Sequence, residues 1–187
     1  DCYIRIGETL IAIEAKAKSP HSDTLTGVSR EAIDVEVKNR MIDPVTQALT
    51  RLKEICSGDN DIKGKTADFF KGVKHVIVLS VSMEKVQPIG ELLNAFDAEI
   101  KSDLPEIQVL AYHNINVEDF EVVCYLIETC AAELPTIFTS WFASQREDIR
   151  SAVLLVNYLP SCGKKYICSK YVSKLFADSL SEIFLKT

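Results

Sequence analysis

A chain of 187 residues that is 47% hydrophobic and 26% charged has ordinary globular composition and enough length to bury one full core. Its net charge of −6 excludes a globally basic nucleic-acid coat, so any contact with DNA must be local or carried by a metal ion. No apolar run approaches the roughly 18–20 residues that cross a bilayer and no signal segment is visible, so a cytoplasmic protein without membrane partners is expected.

The first sixteen residues predict two strands and a turn. In Leu10–Ala17 the side chains alternate with the period of a strand. Ile11, Ile13, Ala15 and Ala17 share one face, while Leu10, Ala12, Glu14 and Lys16 share the other. A hairpin at Gly7-Glu8 folds Asp1 back towards the end of that second strand. Two carboxylates and an ammonium at one edge of a sheet can hold a divalent cation and a water. Residues 18–31 are polar and contain Pro20 and Gly27, which predicts a loop. It carries Lys18, His21 and Arg30 near the site, as a substrate-covering segment or simply as a solvated loop. Ile33–Lys38 alternates again and holds a second acid-x-lysine, Glu36-Val37-Lys38. No hairpin delivers another strand-borne acid to it, and an edge strand or the start of a helix accounts for it, so Glu14 and Lys16 are the better pair.

Asp43-Pro44 reads as a helix start, an acid cap followed by proline in the first turn. Val45, Ala48, Leu49, Leu52, Ile55 and Cys56 then form an apolar stripe, with Gln47, Arg51 and Glu54 along another face, where Arg51 is expected as a surface residue or, one turn on from Gln47, within reach of a phosphate. A helical turn is expected over 66–71. The nearly continuous apolar run Lys74–Val81 predicts a central strand covered on both faces. A helix bearing Ile89, Leu92, Leu93, Phe96 and Ile100 follows, and then a strand over Ile107–Tyr112. Asn116 caps a helix with Phe120, Val123, Leu126, Ile127 and Cys130, and two further helices fit 134–157 and 169–186. Alternating strands and helices predict a single α/β domain over 1–187, with a mixed sheet in a core of about 1–112 and a helical part over about 113–187. The six cysteines are too sparse for a disulfide framework, and Cys56, Cys124 and Cys130 are expected as buried thiols. His21, His75 and His113 share no metal-binding spacing. Lys164, Lys165, Tyr166 and Lys170 form the best local basic patch, although a solvated turn accounts for them as well.

Asp1, twelve intervening residues, and then Glu14-Ala15-Lys16 resemble the catalytic signature of the restriction-endonuclease-like superfamily, the PD-(D/E)xK nucleases. The apolar run before Glu14, the polar loop after it and Gln47 on the next helix strengthen the resemblance, which covers roughly residues 1–82. It implies a mixed sheet flanked by helices, with this chain starting at the second core strand and the family's first helix and first strand lying upstream. It also implies a Mg²⁺- or Mn²⁺-dependent nuclease acting on DNA. Asp1, Glu14 and the Ala15 carbonyl would bind the metal, Lys16 would assist the attacking water, and Gln47 would position it. The chemistry of the residues agrees, since hard divalent cations take oxygen ligands and make bound water more acidic. The alternative is a catalytically silent module of the same fold that binds a protein or nucleic-acid partner. A self-associating helical surface over 115–187 is a further option.

Overall fold

The computed structural model describes residues 2–16, 30–57, 65–83, 107–147 and 154–167. The chain forms an α/β domain around a four-stranded mixed sheet in the order β1-β2-β3-β4. These strands are β1 (Cys2–Ile6), β2 (Thr9–Lys16), β3 (His75–Ser82) and β4 (Gln108–Ile115). β1 and β2 are antiparallel, whereas β2, β3 and β4 are mutually parallel.

The expected hairpin is present. Gly7 has φ +60° and Ile6 sits opposite Thr9, so Gly7-Glu8 is a two-residue turn with glycine in the left-handed position. The register places Cys2 opposite Ile13. Arg5 fastens the hairpin to the next layer by donating to the carbonyls of Phe69 (2.6 Å) and Asp68 (3.2 Å) at the end of α3 (Lys65–Phe70). A cationic side chain at a helix C-terminus satisfies carbonyls that have no partner within the helix.

Strand alternation sorts the sheet's side chains into two cores. On one face Leu10, Ala12, Val76, Val78 and Tyr112 pack with Ile42, Val45, Ala48, Leu52 and Phe70 from the helices between β2 and β3. On the other, Ile11, Ile13, Ile77, Leu79, Ala111 and Ile115 pack with Val123, Leu126, Phe138, Trp141, Leu155 and Leu159. The sheet is thus covered on both sides, which explains the near-continuous apolar run of β3.

The stretch Ile33–Lys38 is not a strand. Helix α1 (Arg30–Val37) runs into a π-helical turn (Lys38–Ile42), which leads directly into α2 (Asp43–Ser57). Glu36 and Arg40 form a buried pair one turn apart at 2.7 Å, so the second acid-x-lysine serves helix packing. Asp43-Pro44 is correspondingly not a free helix start, because helical turns precede it. Pro44 lacks the N–H that an uninterrupted α-helix would use, and a widened π-turn before it accommodates that loss.

Asn116 caps α4 (Val117–Cys130) as the sequence predicts, its side chain accepting from the Asp119 N–H at 2.8 Å. A one-turn link, Ala131–Glu133, joins α4 to α5 (Leu134–Glu147). The helix expected over 134–157 is divided, since Leu154 is extended (ψ 146°) at the start of the short α6 (Leu155–Tyr158). Buried Asp119 holds this restart, with Oδ1 accepting from the Leu155 N–H at 2.7 Å. Taken across its link, Val117–Ser144 is long and apolar enough by composition to cross a membrane, but Leu126, Leu134, Phe138 and Trp141 of this run are buried against the sheet. Of the cysteines expected to be buried, Cys124 is exposed and Cys130 half-buried, because Val122, Val123 and Leu126 supply the inward side of α4. The helix expected near 89–100, the helix over 169–186 and Cys168 lie outside the described residues.

Candidate active site

The carboxyl ends of three parallel strands meet on the face covered by α2. Glu14 on β2 is paired in register with Ser80 on β3, and Ser80 with Asn114 on β4; Lys16 is paired with Ser82. The carboxyl edge of a parallel sheet is where α/β proteins commonly place ligands, because side chains from several strands converge there. One irregularity shapes this edge. The register shifts between Val76 and Ile77, so that Val109 and Ala111 are their partners and Leu110 is extra. This bulge inverts the alternation beyond it, and Tyr112 and Asn114 therefore face the α2 side with Val78 and Ser80.

Glu14 is the centre of the group. It is 2% exposed, near the end of a strand in which the four residues before it, Leu10 to Ile13, are all core. An isolated carboxylate would be costly there. Arg51 of α2 compensates it, with Nη1 donating to Glu14 Oε1 at 2.8 Å. The two partners differ in freedom, for the Glu14 side chain is 3% exposed and that of Arg51 is 40%. The Tyr3 hydroxyl lies 3.5 Å from the same nitrogen, and it first, with the Glu14 charge acting against the cost of burial, pushes the Arg51 pKa above its already high ordinary value. The guanidinium is a permanent cation in this setting.

Around this pair lies an uncharged polar shelf. Asn114 Nδ2 donates to the Ser80 carbonyl at 3.1 Å and to Ser82 Oγ at 3.0 Å. Ser80 Oγ is buried and makes no hydrogen bond. A buried hydroxyl without a partner costs about 1–3 kcal/mol, so its presence on the strand position directly across from Glu14 calls for a physical reason.

The other predicted site residues divide as follows. Gln47 is exposed on α2, one turn before Arg51. Ala15 is exposed near the end of β2, opposite Val81. The backbone of Lys16 ends β2, and its side chain lies outside the described set, as does Asp1. Lys18 and His21 are outside it too, while Arg30 is exposed at the start of α1. Among the described residues no three His, Cys, Asp or Glu side chains gather as a metal site. The donors present are nevertheless of the right kind for Mg²⁺. They are oxygens throughout, with one buried carboxylate and one unpaired hydroxyl, and Mg²⁺ keeps several of its own waters. His113 belongs to the other core, where it stacks on Trp141 at 4.2 Å and its Nε2 lies 3.1 Å from the Phe138 carbonyl.

Nothing local in the sequence announces the pairing of Arg51 with Glu14, or the part that Asn114 plays with Ser80 and Ser82. The serines carried a signal, since two hydroxyls two residues apart interrupt the apolar face of an inner strand. Comparison with known protein families, with curated proteins and with solved structures finds no match to this chain.

Proposed function

We propose that this chain is a metal-dependent nuclease that hydrolyses phosphodiester bonds, foremost in DNA, on a restriction-endonuclease-like PD-(D/E)xK fold. One observation carries the reading: Glu14, the acid of an acid-x-lysine, is a buried carboxylate at the carboxyl end of an inner strand, with an unpaired buried hydroxyl on the neighbouring strand and a partly exposed cation as its partner. The mixed sheet with helices on both faces is compatible with that fold.

In this reading Asp1 and Glu14, with the Ala15 carbonyl, hold Mg²⁺ or Mn²⁺. Such an ion supplies Lewis-acid stabilisation of charge and a more acidic water. Lys16 hydrogen-bonds the attacking water or the phosphate oxygen that gains charge. Gln47, on the helix face shared with Arg51, orients that water. The acidic chain leaves DNA affinity to local contacts or to a protein partner or second copy. Incubation of plasmid or linear DNA with the protein and Mg²⁺ or Mn²⁺ tests this. Cleavage that is lost in Glu14→Ala and Lys16→Ala is expected, and variants that cleave as fast as the wild type refute the assignment.

The Glu14–Arg51 ion pair also favours a second reading, a silent module of the same fold in which Arg51 permanently neutralises Glu14. Calorimetric titration with Mn²⁺ separates the two, because the silent module binds none.

A further inference from the structure

The nuclease reading leaves the role of Arg51 open, and the geometry around Glu14 addresses it. The carboxylate is fixed. It sits on an inner strand hydrogen-bonded on both sides, and its side chain is almost wholly enclosed. Arg51 occupies the opposite condition, on a helix, with two-fifths of its side chain in solvent. Its long stem has the rotational freedom to carry the guanidinium away without moving the helix. A buried carboxylate is stabilised by a paired cation, and a divalent ion can take the place that the guanidinium fills. The two cannot share one carboxylate at close range without strong mutual repulsion. The buried, unpaired Ser80 hydroxyl on the neighbouring strand offers an oxygen that the ion pair leaves unused, as a site prepared for a further occupant would.

We propose that Arg51 is an exchangeable counter-ion of Glu14: it neutralises the carboxylate in the metal-free protein, competes with the divalent cation for it, and on release turns to a phosphodiester oxygen of the substrate. This rests on the metal-dependent reading above. Arg51 thereby keeps the metal-free site folded and makes metal retention depend on the anionic substrate, which takes up the freed guanidinium. Exposed phosphate is a favourable partner for that planar fork of donors.

The test is calorimetric titration of the DNA-free protein with Mn²⁺, comparing wild type with Arg51→Met, Lys53→Met and Glu14→Gln. Arg51→Met is expected to bind Mn²⁺ at least about tenfold tighter than wild type, since the competitor is gone. Lys53→Met removes an equal charge from an exposed position of the same helix and is expected to change affinity less than about twofold, within the reach of screened surface electrostatics. Glu14→Gln is expected to abolish this binding. Arg51→Met that binds no tighter than wild type, or no tighter than Lys53→Met, overturns the exchange even when DNA cleavage and Glu14-dependent metal binding are intact. Absence of Mn²⁺ binding in both wild type and Arg51→Met overturns the exchange together with the metal reading. If Arg51→Met does not fold without metal, refolding with Mn²⁺ reads the same competition. Recovery only with Mn²⁺ supports it, and failure with and without Mn²⁺ overturns it.

Discussion

Removing Arg51 should harm the protein more than removing the charge of Glu14, although both substitutions break the same contact. Arg51→Met leaves an enclosed carboxylate without its cation, whereas Glu14→Gln leaves a guanidinium that already reaches solvent. Losing one partner of a buried pair costs about 3–5 kcal/mol when both ions are enclosed. Here Arg51 is two-fifths exposed, so solvent screens part of the attraction, and a coupling of about 1–3 kcal/mol is expected. The assay is a double-mutant cycle by urea unfolding, with wild type, Glu14→Gln, Arg51→Met and the double variant at pH 7 in the presence of EDTA. Arg51→Met should be the least stable of the four, and the double variant should recover part of its loss. A coupling below about 0.5 kcal/mol, or Glu14→Gln less stable than Arg51→Met, would refute the claim that Arg51 compensates a buried charge.

The short Leu155–Tyr158 helix depends on Asp119, so Asp119→Ala should cost about 1.5–3 kcal/mol, in the range of a hydrogen bond to a charged group. Hydrogen exchange should then speed up selectively over residues 154–162, and uniform protection across that segment would contradict the role. At the hairpin, the hydrogen bond from Lys74, reinforced by its charge, holds the Glu8 carboxyl below its ordinary value. A lowered folded-state pKa stabilises above the unfolded value of about 4.3 and is lost as pH falls through the lowered one. Wild type should therefore exceed Glu8→Gln in urea midpoint at pH 7 and low salt, with the difference fading towards pH 3 and in high salt; a difference that persists unchanged at pH 3 counts against it.

Local rules carried the sequence reading a long way. Period-two alternation located β2 and put Glu14 on the face of Leu10 and Ala12, Gly7 marked the turn, and Asn116 capped its helix. All three signals lie within a few residues of what they predict. The misreadings arose where the decisive contact is distant or where two patterns coincide. Arg51 looked like a surface residue because Glu14, its partner, lies 37 positions away and only helix-on-sheet packing joins them. Ile33–Lys38 alternates like a strand and leaves edge strand and helix start both open; Glu36 finds Arg40 one helical turn on, and the helix is the alternative that holds. The bulge at Leu110 has no glycine or proline to announce it, yet it decides that Asn114 faces Ser80 and Ser82. Cys124 shares its helical spacing with apolar residues but falls on the outer side of α4, where partial burial and then Glu128 and Glu121 push its thiol pKa up.

The proposed hydrolysis depends above all on Glu14 as a metal ligand. Anomalous diffraction from crystals grown or soaked with Mn²⁺ examines this most directly. A Mn²⁺ peak is expected about 2.0–2.3 Å from a Glu14 carboxylate oxygen, with Arg51 turned away from it. Crystals saturated with Mn²⁺ that show no peak at Glu14 and keep the 2.8 Å Glu14–Arg51 contact would contradict it.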